Sequence, residues 1–123
     1  MASILRVNTL TDASSGNSTP MATINQGTAK AWANFTGTGT ATIDDSFNIG
    51  SLTDNASGNY TFAYSNAFSS GNHSTTMGVG QTTIGARRDA PESASTVNVS
   101  CMNPSFINED EPSAYFTCHG DLA

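Results

Sequence analysis

Charge is what this sequence has least of. Lys and Arg number 4 in 123 residues, against 10 Asp and Glu, and charged residues make up only 11% of the chain. Lys30 is the single lysine, and Arg87-Arg88 is the one basic doublet. A nucleic-acid surface needs clustered Lys and Arg to displace phosphate counterions, so a net charge of −6 argues against that partner. Long apolar runs are missing too, which predicts no helical membrane insertion. The apolar run in "MASILRVNTL" is too short for a secretory leader, and the expectation is synthesis in a cytoplasm without general secretory export.

The residues that carry chemistry are equally few. Cysteine occurs only as Cys101 and Cys118, and histidine only as His73 and His119. Two of each at these spacings do not make a zinc site. Cys118 and His119 are adjacent, so on a strand they point to opposite faces and cannot act as nucleophile and base. There is no Gly-x-Ser-x-Gly elbow and no Gly-rich loop leading into a helix. "TDNASGNY" offers Asp54, Asn55 and Asn59 to a cation, but Ala56 and Gly58 fall where further ligands belong and no bidentate Glu follows. Asp44, Asp45 and the run Glu109-Asp110-Glu111 supply carboxylates, yet such a run reads as a solvated loop rather than a glycosidase pair. The N-x-[ST] triplets, among them Asn34, Asn59 and Asn98, follow from a composition rich in Asn, Ser and Thr. No catalytic, cofactor-binding or metal-binding residue is assigned, and the chain is not expected to be an enzyme.

What is abundant is Thr, Ser, Asn and Gly, with aromatics spread from Trp32 to Phe116. Thr and aromatics suit strands, while Asn, Gly and Ser make turns, so the predicted class is all-β. Disorder would bring higher charge and fewer aromatics. "YTFAYSNAF" alternates most cleanly, with Tyr60, Phe62 and Tyr64 on one face. Ala29, Ala31, Ala33 and Phe35 share a face, and Trp32 takes the other, which suggests a strand covered on both sides. Phe47 with Ile49, Met77 with Val79, Val97 with Val99 and Cys101, and Phe116 with Cys118 mark further strands. Turn signals at this spacing predict a single-domain β-sandwich or jelly-roll-like barrel over 21–123. Residues 1–20 read as an N-terminal extended arm, because "SILRVNTL" runs straight into polar "TDASSGNST" and Pro20. The cysteines fall on apolar faces. Cytoplasmic synthesis favours buried free thiols, while final residence outside a cell would permit a late Cys101–Cys118 disulfide.

The segments "ILRVNTLTDASSG", "QGTAKAW" and "DSFNIGSLTDNASGNYTF", with the ending "GDL", carry a family likeness. The chain resembles short fibre-type and surface structural proteins of tailed bacteriophages, including phages of marine bacteria and cyanobacteria. The likeness runs from Ala2 to Phe68 and thins beyond Ser69, where "STVNVSC" and "AYFTCHGDL" echo the pattern. It implies a β-rich virion component, a tail fibre or a head-decoration (cement) protein, assembled in the host cytoplasm as a homotrimer with other virion proteins. It brings no catalytic residues, and the two cysteines stand outside the shared pattern. On this reading Ile4, Leu5, Val7 and Leu10 pack on a neighbour, and Ala29, Ala31 and Trp32 sit at the trimer axis. Loops around His73, Arg87-Arg88 and Glu109-Asp110-Glu111 project outward, and contact with a host surface glycan, or action as a carbohydrate-binding module, remains open.

Overall fold

The computed structural model describes residues 3–81, 84–87 and 93–123. Two four-stranded antiparallel sheets carry the chain. One has β4 (Thr42–Phe47), β3 (Ala31–Thr36), β10 (Ala114–His119) and β7 (Ser74–Val79) side by side. The other has β5 (Ile49–Ala56), β6 (Asn59–Tyr64), β9 (Thr96–Met102) and β8 (Ile84–Arg87). The architecture is an all-β sandwich, as the alternation predicted.

Alternation explains the core. Ala31, Ala33 and Phe35 of β3 and Ala114, Phe116 and Cys118 of β10 turn inward from one sheet. Tyr60, Phe62 and Tyr64 of β6 and Val97, Val99 and Cys101 of β9 meet them from the other. Phe35 bridges the layers, its ring centroid 5.1 Å from Tyr60 and 4.9 Å from Phe62, both edge-to-face. Phe62 continues to Phe116 at 4.8 Å. Edge contacts of this kind add to the burial of the rings themselves. The small alanines on one face leave room for the rings of the facing sheet, which is the interdigitation a close-packed interior needs.

The chain changes sheets at Asn48. Its backbone is left-handed at φ 58°, a conformation Asn tolerates better than most residues. Its side chain donates to the carbonyls of Lys30 (3.0 Å) and Asn66 (2.9 Å) and accepts from the Asn66 N–H (2.7 Å). Phe47 and Ile49 therefore belong to different sheets. The expectation that they share one face is corrected: Phe47 is exposed and Ile49 packs on the core. Most of "TDNASGNY" is strand rather than loop. Asp54, Asn55 and Ala56 are still in β5, and the reversal falls on Ser57-Gly58, with Gly58 at φ 62°.

The first twenty residues are not one extended arm. Thr9–Thr11 (β1) and Ser18–Pro20 (β2) pair as a hairpin. Asp12 holds its turn, accepting from Ser14 Oγ (2.9 Å), the Gly16 N–H (3.0 Å) and Asn17 Nδ2 (2.7 Å). These bonds, Asn17's foremost, keep the Asp12 carboxyl below its usual value. A short helix, α1 (Met21–Gly27), follows in a domain predicted to be all-β, and Gln26 Nε2 ties it to Asp121 Oδ1 at 2.6 Å.

Candidate functional site

Each end of the sandwich carries a polar cluster. At the first, the Tyr60 hydroxyl donates to Asp110 Oδ1 at 2.8 Å, and the Gly58 N–H donates to the same oxygen at 2.7 Å. The Gly58 N–H, followed by the Tyr60 hydroxyl and the Ser57 side chain, holds the Asp110 carboxyl below its usual range. Burial first, and the hydrogen bond to Asp110 second, push the Tyr60 phenol up. Glu111 is buried beside them, its backbone carbonyl accepting the Gly37 N–H at 2.8 Å. The expected outward acidic loop is thus corrected. Asp110 turns inward and anchors the β5–β6 turn through the Gly58 N–H, and the Glu111 side chain is buried.

At the other end, Tyr64 Oη lies 2.8 Å from His73 Nε2 and 3.3 Å from Cys118 Sγ. Thr75 Oγ1 reaches the same sulfur at 3.4 Å, and His73 Nδ1 lies 3.4 Å from the Ser70 carbonyl. A proton on Nδ1 fits that carbonyl and leaves Nε2 to accept from the phenol. The imidazole stacks on Phe68 at 4.1 Å and 11°. His73 is only 5% exposed, so its predicted place in an outward loop is corrected. A polar cavity of about 130 Å³ opens beside it, lined by Gln26, Ser69, Ser70, Asn72, Gly120 and Asp121. Both ring nitrogens point at groups of the fold, and the phenol separates the imidazole from the thiol. The arrangement locks a chain crossing, and His73 itself lines the cavity together with Asp121.

Cys101 and Cys118 are both buried thiols. The disulfide option is corrected by geometry. Cys101 lies on β9 with its N–H on the Gly58 carbonyl, and Cys118 lies on β10 against Tyr64, at opposite ends of β6 and in different sheets.

The residues predicted for assembly divide. Ile4, Leu5, Val7 and Leu10 are 76%, 81%, 38% and 47% exposed. Ala29 and Trp32 are half-buried, Trp32 on the outer face of β3. Ala31 is corrected: it is wholly buried in its own core, where its small size serves packing between the sheets rather than approach of a neighbour. Arg87-Arg88 lies outside the side chains described. Sequence reasoning missed Asp110 and Asn48 as anchors. An Asx residue beside a tight turn is a signal, but it does not name its distant partner. Among the described residues no group of three or more His, Cys, Asp and Glu is placed to hold a metal ion, and no helix is long and apolar enough to cross a membrane.

These features define a small antiparallel β-sandwich protein with polar latches at both ends and an exposed apolar N-terminal segment. Comparisons with known protein families, with curated proteins and with solved structures returned no match.

Proposed function

We propose that the chain is a structural protein of a bacteriophage virion, of tail-fibre type, that works by self-assembly and adhesion at a host surface. The exposed N-terminal segment carries this reading. Ile4 and Leu5 are more than three-quarters exposed, and Val7 and Leu10 follow them along a segment whose described residues are all exposed up to Pro20. A run of uncovered aliphatic side chains is the kind of surface that finishes its burial on another chain. A second copy or a neighbouring virion protein is the partner; the virion setting and the trimer come from the sequence resemblance. The polar latches support the same reading, since they stiffen both ends of the sandwich around groups engaged within the fold.

Light scattering on the full chain and on a version lacking residues 1–20 tests it. An oligomer that reverts to monomer on truncation supports the N-terminal segment as the assembly element. A full chain that stays monomeric, together with unchanged particle incorporation after truncation, overturns it. Particle micrographs separate a fibre position from a head-decoration position.

A further inference from the structure

The two outer faces of the sandwich differ. On the β5-β6-β9-β8 sheet, outward Thr61 Oγ1 accepts from both Asn55 Nδ2 and Asn98 Nδ2 at 2.8 Å, so these three polar side chains engage one another. The face of the β4-β3-β10-β7 sheet is aromatic. Register sets Phe47, Trp32, Thr117 and Thr76 in one row across the four strands. Asp45, Asn34, Tyr115 and Gly78 form the next row, two residues further along. Phe47 is 54% exposed and Tyr115 is 51% exposed.

Tyr115 does not stand upright on this face. A Cβ on Gly78 would lie 2.6 Å from its Cζ and 2.7 Å from its Oη, so the ring leans across β7 and uses the missing side chain as its bed. With strands ~4.8 Å apart and ~3.4 Å per residue, Phe47 to Tyr115 spans about 12 Å, the length of a short oligosaccharide. Among the described residues no hydrogen bond engages the Asn34 amide between them.

We propose that this face binds a neutral glycan, with Trp32, Phe47 and Tyr115 stacking on the C–H faces of pyranose rings. Asn34, Thr117 and Asp45 meet the hydroxyls at the ring edges. Three features select a sugar over a protein or a lipid. Aromatic rings alternate with amide, hydroxyl and carboxylate groups, matching a ring that is apolar on its face and polar at its edge. The two rows contain no aliphatic side chain; the exposed aliphatics lie on the N-terminal segment and elsewhere. Asp44 and Asp45 at the margin disfavour an acidic glycan by like charge. The proposal rests on the adhesive half of the function above and not on the N-terminal segment.

Trp32 is the sole tryptophan, so its emission reports this face directly. The full chain and the chain lacking residues 1–20 are titrated with cellohexaose, maltohexaose and chitohexaose, and with an oligogalacturonate as the acidic control. The expected result is a saturable emission shift with a neutral oligosaccharide in both chains, and none with the acidic one. Tyr115→Ala weakens the response by about tenfold, the scale of one aromatic contact, while Tyr115→Phe retains it. Circular dichroism and unfolding midpoints confirm that both variants are folded. Silence with all three neutral sugars, an equal response in Tyr115→Ala, or a preference for the acidic oligomer overturns the proposal. So does an emission shift driven by protein concentration alone, which would give the face to a second copy. Loss of assembly on truncation with the sugar response intact keeps the two proposals separable.

Discussion

The Tyr60 hydroxyl and the Asp110 carboxylate meet at 2.8 Å across 50 positions of sequence. This contact pins the loop before β10 to the start of β6, and the Gly58 N–H on the same oxygen makes it a three-group latch. Because the carboxyl is held below its ordinary value of 3.8, its stabilisation is in place above that value and is lost as pH falls through the lower folded value. Asp110→Ala strands the Gly58 backbone donor and leaves the phenol only the Gly37 carbonyl at 3.3 Å, and should cost about 2 kcal/mol at neutral pH. Asp110→Asn keeps an acceptor and should cost less. Urea unfolding at pH 7 and near pH 3 checks this. The gap between wild type and Asp110→Ala should narrow in acid, and an unchanged gap would refute an ionised latch.

Asn48 combines two roles that substitution can separate. Asn48→Gly keeps the left-handed backbone and loses the side-chain bonds to Lys30 and Asn66, at about 2 kcal/mol. Asn48→Ala loses the same bonds and adds backbone strain of about 1 kcal/mol. Denaturant midpoints should therefore rank wild type above Asn48→Gly above Asn48→Ala with a common m-value. Reversed order of the two variants would show that the sheet crossing does not depend on this conformation.

The strands with an uninterrupted period of two are legible in the sequence. Tyr60, Phe62 and Tyr64, and Val97, Val99 and Cys101, are buried as their alternation demands. The reading failed where one backbone angle overrides the pattern. "SFNIG" alternates as one strand, yet a positive φ at Asn48 sends its two halves to different sheets. Helix α1 was missed because "MATINQG" is short, carries no side-chain cap and is not held by an apolar stripe. Asp110 and Glu111 were assigned to solvent because an acidic run is normally hydrated. Their partners, Gly58, Tyr60 and Gly37, lie far back in the chain, and local composition holds no record of them.

The cysteines give an accessibility prediction. Burial, with the nearby negative charges of Glu111 and Asp110 adding to it, pushes the Cys101 thiol up to about 12. The raised value favours the neutral thiol in the folded state. Its stabilisation is present below the ordinary 9.0 and is lost as pH rises through about 12. At pH 8 a thiol reagent such as Ellman's should label neither Cys101 nor Cys118 in the native protein and both in urea. Fast labelling of Cys101 without unfolding would contradict the buried placement. Alkaline unfolding should begin above pH 9, with the raised Tyr60 phenol reinforcing it.

The Tyr64–His73 pair tests whether the second latch behaves as one unit. Tyr64→Phe preserves the ring contact with Phe68 at 4.9 Å but removes the hydroxyl between His73 Nε2 and Cys118 Sγ. His73→Phe keeps an aromatic ring over Phe68 and removes the partner of the phenol. Each single change leaves a buried polar atom short of a bond, at about 2 kcal/mol. Replacing both groups by rings removes the mismatch, so the double variant should be less destabilised than the sum of the singles, by about 1 kcal/mol or more. Urea unfolding of the four proteins gives the coupling directly. Strict additivity would mean that the phenol–imidazole bond contributes nothing to closing this end of the sandwich.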